Sequence, residues 1–558
     1  MPQNLDAYIS SVSGEFGYMI FATKNVLNLD MLERMRASLK TDKNICKYKV
    51  SPFYTDKRKE LISRVIECKH NGDGNAEEIV ELLCNSIRMQ KRFLTFSPDF
   101  IVSFAEYYYN NLGMATNSDS SVFSKVFEAN ITAALFPHQT ADVSVEKMYT
   151  LLAVVAHRIH FQKLYPINAT NIIDAINQYN QENGDDVNPL HFIDSIKKAK
   201  VLIEDPVDGD YRFSNRSQLA YFVARAVNSN YQETGMQEDL EYILRYSCFG
   251  INSDVLLFIS YITDNPRVLQ LILNLTKELT AEWAEFDFGD NCPNFLKIQK
   301  AEYDDTAIET KAEQEKKEID DEKQVCSQLE VIEIYDYVED DATQTANQII
   351  RALSLLSVIA KALPGFEHKM KAPMKNDFVN MIYTLPNMIF MKWAAEVDKV
   401  YEEMINYLKQ EWRTSYGHQK EPDIEDIENR FQVTAIGLLL DIYNLTAVYA
   451  TKDNSYKYLA NYSHGDRVTY GIEHLMMLEK KKMPVEFADN AIKLFEKCEE
   501  FLPKEMIYRV VRHAMVHMDS LKYQQRDQLQ NKFFRNKVGQ QHHAKVLIER
   551  SRKLKNTD

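Results

Sequence analysis

The stretch VLIEDPVDGDYRFSNRSQLAYFVARAV, residues 201–227, decides the fold of the middle of the chain. The β-branched run VLIED and the aromatic run YRFSN flank the acidic turn PVDGD, which contains Gly209. Two short runs on either side of an Asp-Gly turn are typical of a β-hairpin. The helical pattern RSQLAYFVARAV follows without a linker. The sequence therefore predicts a hairpin that leads directly into a helix.

Three helices are predicted before this hairpin. Ser144 is the expected N-cap of the first, Asn168 precedes the second, and Asn188 with Pro189 begins the third. Apolar residues recur three and four positions apart in each helix: Met148, Leu151, Val155 and Ile159; Ile172, Ile173, Ile176 and Tyr179; Leu190, Ile193 and Ile196. Three helices followed by a hairpin predict a winged helix over residues 136–232.

The rest of the sequence predicts helices. Gly and Pro number only 16 and 15 among 558 residues, a length that fits roughly three to five domains. Residues 302–341 hold 16 acidic and 4 basic side chains, which is typical of a solvated helix or linker. The predicted fold class is mainly α, with a winged helix and its small β-hairpin between a small helical domain and a long C-terminal helical array. The predicted divisions are 1–45 (a strand and a helix), 46–135 (small helical domain), 136–232 (winged helix), 233–300 (helical), 301–345 (acidic linker or helix) and 346–558 (helical array).

Charge and cysteine usage indicate the class of protein. Lys and Arg total 66 against 81 Asp and Glu, and the net charge of −15 disfavours binding of nucleic acid or anionic membranes by the surface as a whole. Seven cysteines without a C-x-x-C pair are typical of reduced thiols in an intracellular protein. The start PQNLDAYISSV lacks the features of a signal peptide, and the apolar run 435–450 is interrupted by Asp441, Asn444 and Thr446. We expect a soluble cytoplasmic protein with no membrane partner.

No sequence motif indicates a catalytic or metal site. The chain has no Gly-Lys-Ser/Thr in P-loop spacing, so it cannot bind a nucleoside triphosphate by that route alone. His513 and His517 are four residues apart, a spacing that suits a shared metal, but they lack an H-E-x-x-H pattern and a third ligand. We interpret them as surface or interface histidines. His157 and His160 lie beside apolar residues, and we interpret them as core or helix-surface histidines.

A winged helix also suggests DNA binding by its third helix. That helix and the hairpin turn carry charges of opposite sign, and acidic residues at the turn would face phosphates. The charged residues are Lys197, Lys198 and Lys200 on the helix and Asp205, Asp208 and Asp210 at the turn. Nucleic acid is therefore not the expected partner. The basic C-terminal tail is a weaker candidate, since such tails are most often solvated ends.

Four motifs occur in an order that resembles a known family. They are MIFATKN near residue 20, KYKVSPFYTDKRKELI from residue 47, FSPDF around Pro98, and YRFSNRSQLAYFVARAV at the end of the winged helix. Over about residues 10–230 they resemble the later portion of a STAND-class, NACHT-like nucleotide switch. In that family a P-loop and a Walker B strand precede a sensor strand, a small helical domain, a winged helix and a long sensor region, which is commonly helical.

The resemblance implies roles for three residues. Lys24 would take the place of the sensor arginine, Pro98 that of the adenine-side proline, and Asn215 that of the phosphate-contacting histidine. Residues 1–45 would be the tail of the nucleotide-switch core. P-loop, Walker B and effector segments would then lie upstream, in this chain or in a partner chain. No cofactor is expected in this chain alone, and ATP or ADP only together with a P-loop segment.

The resemblance implies a sensor and regulatory portion of a STAND-type signalling NTPase. Its helical array would recognise a protein ligand, the winged helix would transmit the signal, and activation would lead to a homo-oligomer. Bacterial and archaeal members of the family are often antiviral sensors. The alternative is a stand-alone winged-helix and helical-scaffold protein in transcription or assembly. An α-helical enzyme with a dispersed site has no positive feature in its favour, and the chain is not expected to be an enzyme on its own.

Overall fold

A computed structural model gives the structure of the protein over most of its length. It describes residues 55–69, 80, 98–110, 119–205, 208–229, 234–263, 265–297, 344–416, 424–451, 455–460, 467–518 and 520–534. All of them belong to the compact unit Phe53–Asp558. The separate unit Met1–Pro52, which includes Lys24 and the predicted sensor strand, lies outside the described residues. The described chain is mainly helical, which confirms the predicted class.

The first half of the described chain contains ten helices and one hairpin. The elements are α1 (Thr55–Lys69), α2 (Pro98–Asn110), α3 (Asp119–Leu135), α4 (Val145–Phe161), α5 (Ala169–Asn183), α6 (Pro189–Lys198), β1 (Leu202–Glu204), β2 (Tyr211–Phe213), α7 (Arg216–Ser229), α8 (Thr234–Arg245), α9 (Asn252–Ile262) and α10 (Pro266–Thr280). Short 3-10 turns occur at Phe136–His138 and Asn294–Leu296.

The second half contains helices throughout its described residues. They are α11 (Thr345–Phe366), α12 (Ala372–Tyr416), α13 (Ile424–Ala450), α14 (Tyr456–Ala460), α15 (Val468–Lys480), α16 (Pro484–Lys497), α17 (Phe501–His517) and α18 (Tyr523–Leu529), with a π-helical turn at Gln530–Phe534. The divisions proposed from the sequence remain predictions.

Side-chain caps fix where the three helices before the hairpin begin. Ser144 Oγ accepts a hydrogen bond from the backbone N–H of Lys147, 3.3 Å away. Asn168 Oδ1 accepts the N–H of Asn171 at 2.8 Å. Asn188 caps α6 in the same way, and Pro189 is its first residue. These contacts satisfy N–H groups that have no partner inside the helix, so the three predicted starts are confirmed.

One apolar residue of α6 is not where its spacing predicts. Ile193 and Ile196 are buried together with Phe192, but Leu190 is 65% exposed. Leu190 precedes Phe192 by two residues, which places it about 160° around the helix from that ring. The buried face is centred on Phe192, and the prediction that Leu190 belongs to it was wrong.

The predicted hairpin forms with a two-faced register. Leu202 pairs with Phe213 and Ile203 with Arg212 in an antiparallel ladder. The first pair is buried and the second is exposed, as alternation along a strand requires. Gly209 in the turn has φ of 74°, a left-handed conformation that suits glycine.

Two hydrophobic cores meet at helices α10 and α11. The first joins helices from α1 to α11, and the second extends from α10 to the C-terminal π-helical turn. On α10, Val268 and Ile272 belong to the first core, whereas Leu269 and Leu273 belong to the second. Helix α11 is divided between the cores in the same manner. Both helices therefore join the hairpin half of the fold to the C-terminal half.

Among the described residues, two helices have the length and composition of membrane spans. These are Thr345–Phe366, with mean hydropathy 1.6, and Phe431–Ala450, with mean hydropathy 1.5. Asp441, Asn444 and Thr446 lower the mean hydropathy of the second helix less than the sequence analysis expected. The fractions of these windows buried inside the protein are 61% and 44%. Phe431–Ala450 packs in the second core and Thr345–Phe366 packs between the two cores, as apolar helices of a globular protein do.

Candidate functional site

Pro98 and Asn215 lie on different elements. Pro98 is the exposed first residue of α2, where its fixed φ and missing N–H suit a helix start. Asn215 lies between β2 and α7 and is half-buried. No polar contact within the described residues joins the two, so the structure leaves a shared nucleotide contact as a prediction.

Asn215 is the N-cap of α7. Its Oδ1 accepts the backbone N–H of Gln218 at 2.8 Å. The hydroxyl of Ser214 donates to Gln218 Oε1 at 2.5 Å, which orders the same turn. The Asn215 side-chain N–H₂ has no protein acceptor among the described residues. This group could donate to an oxygen atom of a ligand while the oxygen of the same amide continues to cap the helix.

A buried ion pair joins the start of α7 to the start of α9. Arg216 Nε donates to Asp254 Oδ2 at 2.7 Å, and Arg216 Nη2 donates to the carbonyl of Gly250 at 2.5 Å. The two side chains are 17% and 4% exposed. Asp254 lies in the first turn of α9, where the helix dipole favours a carboxylate. The turn after the hairpin is thus attached directly to the next helical layer.

A second polar group holds the middle of α7. Arg225 Nη1 and the Tyr221 hydroxyl both donate to Glu128 Oε1 of α3 at 3.1 Å. The Arg225 guanidinium also lies 4.8 Å from the centre of the Tyr149 ring of α4. Burial raises the pKa of Tyr149 to about 12 and raises that of Tyr221 as well, so both phenols stay protonated donors at neutral pH. Helix α7 is therefore fixed to α3, α4 and α9.

The basic residues of α6 and β2 are paired with acidic residues of the same unit. Lys197 pairs with Glu204 at the end of β1, and Arg212 pairs with Asp205 beside the turn. Lys198 Nζ lies 2.6 Å from Asp194, and both side chains are 60% exposed. Local carboxylates therefore offset the positive charge that a DNA-reading helix needs.

Two histidines of α4 face the helices that follow the hairpin. His157 Nε2 lies 2.5 Å from Asp239 Oδ2 of α8. His160 is 3% exposed, and neither ring nitrogen has a hydrogen-bond partner. Burial lowers the pKa of His160 to about 4. The interpretation of His160 as a core histidine is confirmed.

The second core contains a buried carboxyl group that the sequence analysis missed. Glu473 of α15 is fully buried, and neither carboxyl oxygen has a partner. Burial raises its pKa well above the ordinary value. Nearby, the Tyr443 hydroxyl donates to Asn387 Oδ1 at 2.6 Å. No periodicity argument could have found Glu473, because a charged residue inside a helical pattern is normally exposed.

His513, interpreted from the sequence as a surface or interface histidine, contacts a neighbouring helix, and the side chain of His517 lies outside the described residues. His513 Nδ1 lies 2.7 Å from Glu479 Oε1, which is a contact between α17 and α15. Among the described residues, no group of three or more His, Cys, Asp or Glu side chains is placed to hold a metal ion. A cavity of about 300 Å³ lies at the start of α15, and one of about 180 Å³ lies between α15 and α16. Neither is lined by Pro98 or Asn215.

Comparison of the chain with protein-family models, curated proteins and solved structures found no match in any of the three. The function must therefore be argued from the residues and their geometry. The surroundings of α7 have the most distinct chemistry: the half-buried Asn215 caps its start, and its side chains make polar contacts to three other helices.

Proposed function

We propose that this chain is the sensor and regulatory portion of a STAND-type nucleotide switch in the cytoplasm. In this proposal α4–α6, the hairpin and α7 form a winged helix, and the helices after α7 form the sensor array for a protein ligand. The nucleotide core and effector belong to an upstream or partner segment, and ligand capture leads to a homo-oligomer. A role in antiviral defence follows only from the family resemblance.

The compactness of the hairpin unit supports the winged-helix assignment. The backbone of Ile167, between α4 and α5, exchanges hydrogen bonds with Tyr211 of β2 at 2.9 and 2.7 Å. This bridge ties the hairpin to the helices that precede it, while Phe213 packs on Phe222 of α7 with ring centres 5.7 Å apart. Helices and hairpin therefore pack as one module, in the order that the family resemblance requires.

The attachment of α7 is the observation that carries the proposal. Its first residue, Arg216, follows directly after Asn215 and forms the buried pair with Asp254. A displacement of α9 by a ligand on the array would therefore move the turn that holds Asn215. A population-shift switch needs packed elements with two discrete arrangements, and the proposal assigns that role to α7 and α9.

Replacing Asn215 with Ala is expected to weaken nucleotide binding by about tenfold, because the Asn215 N–H₂ would lose a hydrogen bond to a charged phosphate. The measurement uses the native polypeptide, precipitated with an antibody against residues 346–558, and a photoactivatable ATP analogue. The variant is introduced at the native locus. An immunoblot with the same antibody gives the size of the polypeptide, and a band much heavier than 64.9 kDa would support a nucleotide core in the same chain.

Asn168→Ala is the matched control, because it removes an equivalent N-cap from α5, with the same 2.8 Å contact. Each substitution should cost about 1 kcal/mol of helix stability. Only Asn215→Ala should reduce labelling. Equal labelling of the two variants would refute the role of Asn215. A native polypeptide that retains no nucleotide, alone or with a co-precipitating P-loop protein, would refute the proposed function.

The alternative role in transcription predicts salt-sensitive duplex binding through α6. Because Lys197 and Lys198 are already paired with carboxylates, we expect binding to a labelled 30-bp duplex no tighter than about 10⁻⁴ M at physiological salt. Fluorescence anisotropy at two salt concentrations measures this directly. Tighter, salt-dependent binding that Lys197→Glu with Lys198→Glu abolishes would favour the transcription role instead.

A further inference from the structure

The contact between α4 and α8 is built around histidine rings. His157 and His160 are three residues apart on α4, so they lie on the same side of the helix. His157 meets Asp239 at 2.5 Å. The ring of His160 packs edge-to-face on Tyr242 with centres 6.3 Å apart, and Phe161 packs on Tyr242 at 5.8 Å. These contacts join α4 to α8.

The two histidines have different surroundings. His157 lies beside the Asp239 carboxylate and is 35% exposed. Protonation of His160 places a charge in a site that is 3% exposed, where the cost of burial outweighs the hydrogen bond that the Asn252 side chain offers. Protonation of His160 is therefore incompatible with the packed arrangement of this contact.

The groups that face His160 do not remove this conflict. Burial is the dominant influence and lowers the pKa of His160 to about 4. The Asn252 side chain of α9 and the Asp239 carboxylate of α8 oppose the shift. The charges of His157 and Lys163, in the same chain segment, lower the pKa of His160 further. The opposing groups are too weak to hold a protonated ring in place.

We propose that His160 is an acid-sensitive latch whose protonation releases α8 from α4 while the second core stays folded. The half-exposed His157–Asp239 pair is at the edge of the contact, and the His160 ring is at its centre. The latch acts at the contact of α4 with α8, whereas the proposed function transmits through the contact of α7 with α9. The operation of the latch does not depend on nucleotide, so the two proposals can fail separately.

The sign of the pH effect follows from the two protonation states. In the open form the His160 ring titrates near the ordinary value of 6.5, whereas in the closed form its pKa is about 4. The latch is therefore closed above pH 6.5 and loses stability as the pH falls towards 4. The opening equilibrium should rise roughly 20-fold between pH 7 and pH 5.

Hydrogen exchange of the full chain, measured by mass spectrometry at pH 7 and pH 5, tests the latch. After correction for intrinsic exchange rates, peptides from residues 234–245 should show the 20-fold increase in opening, and peptides from residues 468–480 should show none. His160→Phe keeps an uncharged ring and should abolish the pH dependence. His191→Phe is the matched control because His191 is exposed, and it should leave the pH dependence unchanged.

Three results would overturn the latch. One is equal pH dependence in the wild type and in His160→Phe. Another is a parallel increase in residues 234–245 and 468–480, which would indicate global acid unfolding. The third is no change in the wild type between pH 7 and pH 5. If His160→Phe does not fold, His160→Gln with the same readout takes its place, and the wild-type comparison stands by itself.

Discussion

Replacing Asp254 with Ala is expected to destabilise the packing of α7 on α9 by about 3–5 kcal/mol. The substitution leaves the Arg216 guanidinium, 17% exposed, without its carboxylate. The carbonyl of Gly250 also accepts a hydrogen bond from this guanidinium, but it is neutral and cannot offset a buried charge. The penalty is that of an unpaired charge, and it exceeds the net contribution of the intact pair.

Hydrogen exchange of amides in α7 and α9 measures this effect at its source. A loss of 3–5 kcal/mol corresponds to at least a hundredfold loss of protection. Trp283 and Trp393 pack against the second core, so their fluorescence shows whether that core remains folded. We expect the fluorescence to change little.

Two variants separate charge from packing. Asp194→Ala breaks the exposed pair with Lys198 and should cost less than about 1 kcal/mol. Arg216→Met combined with Asp254→Leu removes both charges and should recover most of the lost stability, since apolar replacement of a buried pair is often neutral. A loss of protection below tenfold in Asp254→Ala would show that the pair does not hold α7.

In the wild type, we expect the free energy of unfolding of the second core to fall steeply as the pH rises above the ordinary pKa of Glu. Glu473→Gln is expected to remove this pH dependence. Wild-type stability should fall by about 1.4 kcal/mol per pH unit as the pH rises above the ordinary Glu value. The variant cannot ionise and should be nearly flat over the same range. Below pH 4.5 the two proteins should differ little, because Glu473 is then protonated in both the folded and the unfolded chain.

The direction of this pH dependence follows from the burial of Glu473. The folded chain keeps a proton on Glu473, whose pKa burial raises well above 4.5, whereas the unfolded chain releases it near 4.5. Stability from this group is therefore complete below pH 4.5 and is lost as the pH rises towards the folded pKa. The nearby phenol of Tyr443 donates to Asn387 and leaves the carboxyl without a donor.

Denaturant unfolding at pH 6 and pH 9, followed by tryptophan fluorescence, makes the comparison. Glu486→Gln is the matched control, because Glu486 is exposed on the adjacent α16. It should follow the pH dependence of the wild type. Equal slopes for Glu473→Gln and the wild type would mean that Glu473 is ionised within the fold.

Local features of the fold were predictable from the sequence. Ser144, Asn168 and Asn188 cap helices because their short polar side chains reach N–H groups two or three residues away. The hairpin turn depends on Gly209 for the same local reason. Such features involve neighbours in the chain, and a pattern of residue types is enough to find them.

The contacts that define the candidate site were not predictable. Arg216 and Asp254 are separated by 38 positions, and nothing in either segment indicates the other. Glu473 looks like a surface residue by composition and is buried by the packing of helices around it. The helical spacing also predicted a buried Leu190, which is exposed, because the side of α6 that faces inward is centred on Phe192. Tertiary packing decides these cases, and a sequence pattern does not contain it.

The sharing of α10 and α11 between two cores affects how the protein can be divided genetically. A truncation placed in the acidic stretch between these helices would separate α10 from α11. Each fragment would then lack one of the two helices that pack against both cores. The fragments would expose matching apolar faces, with Val268 and Leu269 of α10 facing different halves of the original protein. The smallest unit that can be moved into another protein intact therefore includes both cores together with α10 and α11.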